Sequence, residues 1–259
     1  MASVLVTGSS DGIGRETAAT LLRMGHRVVL HARNVGRAAE AAAAFAGTAD
    51  VVVGDLASLA ETKALAGAAR QKGPYDVVIH NAGVGGGVRR RELTVDGLER
   101  IFQVNALAPY VLTALMDRPS RLVYLTSGLQ EGGRFEPSDL QFERRPWDGM
   151  QAYSDSKLHD LMLAFAVARR WPTTLCNAVD PGWIKTRMGG AGAPDSLPLG
   201  AETQVWLATS DEPGALVTGR YFKRRQEMVA NPVARDPVFQ EAFLAICQSL
   251  SGVAFPPAT

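Results

Sequence analysis

The sequence predicts an α/β protein: a doubly wound, mostly parallel sheet of about seven strands with helices on both faces. Three observations carry this. Short runs rich in Val, Leu and Ile alternate with longer helical stretches along the chain. Most of these runs are continuously apolar rather than alternating, as in strands buried on both faces of a parallel sheet. The first run leads straight into a glycine-rich turn that opens a helix. With no linker and no repeat, the 259 residues are expected to form one domain, 1–259.

The strand candidates in order are Val4–Val6, Arg27–His31, Val51–Val53, Asp76–His80, Leu122–Leu125, Thr174–Val179 and Arg220–Phe222. Between the first two, apolar or small residues at Ile13, Ala18, Leu21 and Leu22 mark one face of a helix. Ala38–Phe45 is rich in Ala, the best helix former. Thr94–Met116 and Ala152–Arg170 are longer helical candidates. Two segments look irregular. Gly132–Asp148 mixes Gly, Pro and charge, and Gly189–Gly200 (GGAGAPDSLPLG) reads as a mobile lid loop. The substrate loops are therefore expected near 128–150 and 183–200. The tail Phe255–Thr259 reads as a frayed end.

Composition removes several function classes. Apolar residues make up 46% and charged residues 20%, ordinary globular usage that argues against disorder. Basic and acidic residues number 27 and 26, so nothing suggests a nucleic-acid partner. Arg89-Arg90-Arg91 reads as a solvated loop. The longest apolar run, Leu161–Ala168, is far short of the roughly 20 residues that span a bilayer. No basic segment precedes the N-terminal apolar stretch, so no secretory signal is expected. Cys176 and Cys247 read as core fillers, which leaves a reducing cytoplasm as the expected location. The four histidines, at 26, 31, 80 and 159, lack metal-ligand spacing, and no metal is expected.

Thr7-Gly8-Ser9-Ser10-Asp11-Gly12-Ile13-Gly14 follows the first strand and opens a helix. Glycines there permit a tight turn and close approach of the backbone to a pyrophosphate, which the helix N-terminus then binds. The spacing, T-G-x-x-x-G-x-G, resembles that of the short-chain dehydrogenase/reductase family. Further motifs add to the likeness: Asn81-Ala82-Gly83 after the fourth strand, Tyr153-Ser154-Asp155-Ser156-Lys157, and Pro181-Gly182 with Thr186 after the sixth strand. Ser127 lies 26 residues before Tyr153, a gap that resembles the retinol-dehydrogenase-like branch. The resemblance spans roughly residues 3–225 and implies a Rossmann fold and a nucleotide cofactor.

Tyr153 and Lys157 lie four apart on a predicted helix and share a face. A free phenol titrates near pH 10, and a neighbouring ammonium lowers that value, so the pair can pass a proton to or from a substrate oxygen. Ser127, at the end of the fifth strand, can donate to that oxygen. Thr126 competes for this role, because strand alternation decides which hydroxyl faces the cleft; the resemblance favours Ser127. Asn105 precedes Pro109 by four, and proline offers no N–H to the Asn105 carbonyl. In the family, the matching asparagine holds a water that connects to the active-site lysine.

The resemblance also implies the cofactor contacts: Gly8, Ser10, Gly12, Ile13 and Gly14 at the phosphates, Asp55-Leu56 at the adenine, Asn81 and Gly83 beside the cofactor, Tyr153 and Lys157 at the nicotinamide ribose, and Pro181, Gly182 and Thr186 at the carboxamide end. Between Glu16 and Glu40 there is no carboxylate to hold a ribose 2′-OH, and Arg33 ends the second strand instead. That pattern points to NADP(H), with Arg33 (and Arg15 as a second candidate) on the 2′-phosphate. Three features depart from the family. Asp11 puts a negative charge in the phosphate loop and should face solvent. His80 replaces a second asparagine. Leu129-Gln130 replaces a Ser-x-x-His continuation common in retinol dehydrogenases, which weakens any inference to a retinoid substrate.

The expected function is thus hydride transfer between NADP(H) and a carbonyl or alcohol substrate, carried by Asn105, Ser127, Tyr153 and Lys157. Trp147, Met150, Trp183 and Met188 either line an apolar substrate pocket or belong to the core. A homo-oligomer is compatible with the family's habit of pairing through the Tyr–Lys helix. Two alternatives remain: a catalytically silent NADP(H)-binding regulator on the same fold, and a sugar-nucleotide epimerase or dehydratase, which usually carries a larger C-terminal domain.

Overall fold

The computed structural model describes residues 1–85 and 87–258. Eight strands form one sheet: β1 (Ser3–Val6), β2 (Arg27–Ala32), β3 (Asp50–Val53), β4 (Val77–His80), β5 (Arg121–Leu125), β6 (Leu175–Val179), β7 (Tyr221–Lys223) and β8 (Gln226–Glu227). Their order is β3-β2-β1-β4-β5-β6-β7-β8, and all pair in parallel except β7 with β8. The first seven match the expected strands to within one or two residues. The antiparallel β8 was not foreseen, because its two residues are polar and exposed.

Alternate residues of each strand feed two cores. Leu5, Val29, Val78, Leu122 and Cys176 face one layer, while Val4, Val6, Leu30, Ile79, Val123 and Val179 face the other. The first layer is closed by α3 (Leu59–Lys72), α4 (Arg100–Phe102), α5 (Ala108–Leu115), α6 (Gly149–Arg170) and α8 (Pro237–Ser251), the second by α1 (Gly12–Arg23), α2 (Val35–Ala44) and α7 (Leu197–Thr209). Covering both faces explains why the strands read as unbroken apolar runs. The sheet order reverses between β1 and β4, and in such sheets ligands bind beyond the carboxyl ends of the strands at that point.

Three expectations need correction. The helix expected over Thr94–Met116 starts only at Arg100, where the Glu99 carboxylate accepts from the Ile101 and Phe102 amides at 2.8 and 2.7 Å. Thr94–Glu99 instead turns back on itself through Gly97, with φ +74° and a bridge between Leu93 and Glu99. The loop expected over Gly189–Gly200 ends at Ser196, whose hydroxyl caps α7; Pro198 sits in the first helical turn, where a missing N–H costs nothing. Gly132–Asp148 is irregular, as expected, and is held in place: Asp139 accepts from the amides of Glu143, Arg144 and Arg145, and Arg145 bridges Asp139 and Asp155 at 3.3 and 3.2 Å. The tail is anchored, with Phe255 stacked on Trp171 at 5.4 Å between ring centres; Thr259 lies outside the described residues, as does Gly86 in the glycine run before Arg89.

Candidate active site

The glycine loop is folded against the end of β4. The Thr7 hydroxyl accepts from the Asn81 and Ala82 amides at 2.9 and 3.0 Å. A Cβ on Gly8 (φ +63°) would lie 2.8 Å from Ala82 Cα, and one on Gly14 would overlap Asn81 Nδ2 and the Gly8 carbonyl, so both glycines are required by close approach. Asn81 Nδ2 donates to the Thr7 and Gly8 carbonyls at 2.9 and 3.2 Å, while its buried Oδ1 has no partner within the protein. Ile13 and Gly14 fall in the first turn of α1, where amides have no intrahelical acceptor. Ser10 is half-buried at the loop tip. A bare-backbone cradle and first-turn amides fit a dinucleotide phosphate, while the orphaned Asn81 Oδ1, an acceptor, suits a donor such as a ribose hydroxyl.

His31 braces this loop from below. Its Nδ1 accepts the Gly8 N–H at 3.0 Å and its ring Nε2 lies 2.8 Å from the Gly54 carbonyl, so the proton is assigned to Nε2. Burial holds the imidazole below its usual range, which keeps this neutral tautomer. Sequence reasoning missed the brace; the only signal was a polar residue ending an apolar strand.

Asp11 caps α1 through the Gly12 N–H at 2.8 Å. Its carboxylate is about half exposed (47%), as expected, but it is also paired with Arg37 at 3.2 Å and Arg187 at 3.3 Å. Against the effect of burial, the Gly12 amide and the two guanidinium groups hold it below the usual carboxylate range. A cavity of about 360 Å³ opens beside it, lined by Gly12, Arg15, Lys185, Thr186 and Arg187 among others. Arg33 and Arg15 are exposed and make no ion pair among the described residues, so both are available to a ligand. Asp55 and Leu56 follow β3. The Asp55 carboxylate accepts from the Ala57 amide at 2.9 Å, and the Leu56 side chain is buried in the core, which leaves its backbone for a ligand.

The catalytic candidates converge from four elements. Thr126 resolves the competition at the end of β5: its buried hydroxyl donates to the Lys157 carbonyl at 2.6 Å and is used up. Ser127 is half-buried, and its hydroxyl only accepts a long bond from the Leu129 amide, 3.3 Å, so its proton remains available. On α6, Tyr153 is half-buried and Lys157 is buried, with Nζ 5.7 Å from the centre of the tyrosine ring. Gly85 (φ +132°) lies flat on that ring; a Cβ there would overlap Tyr153 Cδ2. Lys157 Nζ donates to the Leu125 carbonyl at 2.9 Å and to Asp160 at 2.8 Å. Burial alone would favour the neutral amine, but the Asp160 carboxylate outweighs it and holds the ammonium above its usual range.

Asn105 is fully buried in a π-helical segment, Gln103–Leu107, in which the Ala108 amide reaches back five residues to the Gln103 carbonyl. The irregularity expected from Pro109 thus takes the form of a widened helical register. The Asn105 side chain is spent on structure. Its Oδ1 accepts from the Val84 amide at 2.7 Å, and its Nδ2 donates to the Val84 carbonyl and to Ser156 at 2.8 and 2.9 Å. Gly83 leaves room here, for its Cβ would sit 3.4 Å from Asn105 Oδ1 and 3.5 Å from Lys157 Nζ.

The opposite wall comes from the segment after β6. Gly182 (φ +97°) donates to Asp180 at 2.8 Å, next to half-buried Pro181. Thr186 packs over Gly12, 3.4 Å from the position of its Cβ, and accepts from the Gly189 amide at 3.0 Å. Met150, Trp183 and Met188 are 48, 59 and 49% exposed and so are not core. Trp147 belongs to a small cluster with Phe142, and its indole N–H donates to the Val88 carbonyl. His80 is bonded to Thr113 at 3.1 Å and stacked on Tyr124 in the core. Asn231 was missed altogether. Its side chain donates to the carbonyls of Gln130, Glu131 and Gly133, and its amide donates to the Gln130 side chain, so it pins the turn that follows Ser127.

Among the described residues, no group of side chains could hold a metal ion and no helix is long and apolar enough to cross a membrane. The short chain dehydrogenase family profile matches residues 2–134. The chain is 43% identical to an oxidoreductase of Emericella nidulans over 99% of both chains. It is 33% identical to human retinol dehydrogenase 14 over 90% of this chain and 81% of that protein. A crystal structure of a protein from Mycobacterium paratuberculosis superposes with a TM-score of 0.85 at 28% identity, covering 99% of this chain and 95% of the other. A Shigella flexneri 2a chain solved in complex with NADP superposes at 0.68 and 25% identity, covering 87% of this chain and 97% of the other.

Proposed function

The chain belongs to the short-chain dehydrogenase/reductase family of oxidoreductases, and on that premise we propose that it is an NADP(H)-dependent carbonyl reductase, or the reverse alcohol dehydrogenase. The observation that carries the reading is that Thr126 and Asn105 spend their side chains on structure, while the hydroxyl protons of Ser127 and Tyr153 have no acceptor among the described residues and Lys157 is buried 5.7 Å from the centre of the tyrosine ring. The glycine loop, Asn81 and Thr186 hold the cofactor, which supplies or accepts the hydride. In reduction, Tyr153 gives its phenolic proton to the carbonyl oxygen as hydride reaches the carbonyl carbon. Ser127 donates a hydrogen bond to the same oxygen and orients it. Lys157 places a positive charge beside the tyrosine, and Asn105 holds the Val84 backbone and the catalytic helix in register.

Arg33, without a competing ion pair, supports the choice of NADP(H), as does the absence of a carboxylate after β2. Exposed Leu129 in the turn after Ser127, Met150 in the first turn of α6, and Trp183 and Met188 after β6 support an apolar or aromatic substrate. The test is NADPH oxidation over a panel of aromatic aldehydes, aliphatic ketones, steroids and quinones. Tyr153→Phe should lower kcat at least about 10²-fold on the best substrate, with NADPH binding barely changed. Near-normal turnover would refute the tyrosine's role. Tight NADPH binding with no carbonyl reduced would favour the regulator instead.

A further inference from the structure

Lys157 and Asp160 form a buried ion pair inside the catalytic helix, with side chains 5 and 4% exposed and Nζ 2.8 Å from Oδ2. Two bare charges are costly to bury, and a lysine that only had to reach a ligand would not need an internal counter-charge. The remaining groups around the pair are uncharged near neutral pH. Tyr124 of β5 is pushed far up by burial, and His80 of β4, stacked on it, is pushed down to about 3. Asn105 and Ser156 are neutral, and Asp155 is compensated by Arg145 at 3.2 Å. At the lysine end of the site, the field is therefore that of Lys157 minus that of Asp160.

The sign of that field matters because hydride donation leaves a positive charge on the nicotinamide ring. Lys157 alone would oppose this charge; a carboxylate beside it cancels the opposition. We propose that Asp160 is a positioning residue that fixes Lys157 Nζ and, by compensating its charge, sets the relative affinity of the site for oxidised and reduced cofactor. The inference rests on the NADP(H) reading above and extends it to a residue outside the Tyr-x-x-x-Lys motif. In hydride transfer, the two electrons and the proton that form the hydride leave the reduced ring for the carbonyl carbon, and Tyr153 supplies the second proton to the oxygen. Asp160 exchanges no proton and no electron in that step. It makes the cationic product ring less costly.

Equilibrium binding reads this without substrate or turnover. NADPH is titrated by its fluorescence and NADP⁺ by competition, at about pH 8, above the value of about 6 to which burial pushes the Asp160 carboxyl. A unit charge within about 10 Å, at an effective dielectric near 20, changes an equilibrium by about tenfold. Asp160→Asn should therefore weaken NADP⁺ about tenfold relative to NADPH. The wild type provides a second measurement that needs no variant: its NADP⁺-to-NADPH preference should fall by a similar factor as pH drops through about 6. Any change in the charge of the phosphates acts on both cofactors and cancels in the ratio. Equal losses for both cofactors, or a ratio insensitive to both variant and pH, would overturn the inference alone. A wild type that binds neither cofactor would overturn the cofactor reading and this inference with it.

Discussion

His159 lies on the catalytic helix two residues beyond Lys157, enclosed by the rings of Phe102, Phe135 and Phe243 at 6.0, 5.9 and 5.1 Å. It is 1% exposed, and neither ring nitrogen has a partner. Burial, with the charge of Arg145 adding to it, pushes its pKa down to about 3. The unfolded chain takes up this proton near pH 6.5, whereas the folded chain refuses it until about pH 3. Acid therefore favours unfolding, and stability drains away as pH falls from 6.5 toward 3. His159→Phe removes the titration. The stability difference between variant and wild type should grow by about 1.4 kcal/mol per pH unit below 6.5, reaching about 2.7 kcal/mol between pH 7.5 and 4.5. A fixed packing gain or loss from the larger ring shifts the whole difference curve without changing its slope. The assay is urea unfolding of both proteins at several pH values across that window. Two stability curves running parallel from pH 7.5 to 4.5 would refute the reasoning.

Other perturbations probe the site more directly. Arg33→Ala should weaken NADPH by about ten- to a hundredfold and leave NADH almost unchanged, since one charge-assisted bond contributes roughly 1.5–3 kcal/mol; equal weakening of both in a binding titration would count against the 2′-phosphate contact. Pro109→Ala returns an N–H to the Asn105 carbonyl and should let Gln103–Leu107 close toward an α-helical register, moving Asn105 off Val84. Turnover should then fall while the melting temperature holds or rises; an unchanged π segment in a crystal structure of the variant would contradict this. Gly85→Ala drives a methyl group into the Tyr153 ring from a backbone conformation that disfavours any side chain. Its kcat should drop by at least about tenfold, and its melting temperature should fall as well, since a side chain strained at this φ costs about 1–3 kcal/mol. Undiminished turnover would show that the tyrosine tolerates displacement.

The sheet was legible because its strands are buried on both faces and so appear as unbroken apolar runs; β8, two exposed polar residues, offers no such signal. The start of α7 was hidden by Pro198 and Gly200, which break helices in the interior but are harmless in a first turn capped by Ser196. The helical candidate Thr94–Met116 began six residues too early, because Thr94–Glu99 forms a turn through Gly97, in which Val95 is 85% exposed. The Pro-rich tail looked free because stacking on Trp171 leaves no local trace. Within the site, the glycines, Asn81, Tyr153 and Lys157 lie in short motifs whose spacing reflects one turn or one helix. Asp160 was visible only as a charge next to the apolar run Leu161–Ala168. Asn231 acts on residues about a hundred positions away, and no local pattern encodes such a contact.

The hydrogen bonds from Asn231 to Gln130, Glu131 and Gly133 tie the far end of the chain to the turn that carries Ser127. The family profile covers residues 2–134, so the anchor lies outside the segment it matches, although the 43% identity to the Emericella nidulans oxidoreductase runs through it. A change in the C-terminal third that displaced Asn231 would therefore loosen the turn that follows Ser127. Grafting a relative's C-terminal third onto it without matching the partners of Asn231 would yield hybrids that fold and hold cofactor but turn over slowly, and the route back to activity would run through the 128–133 turn.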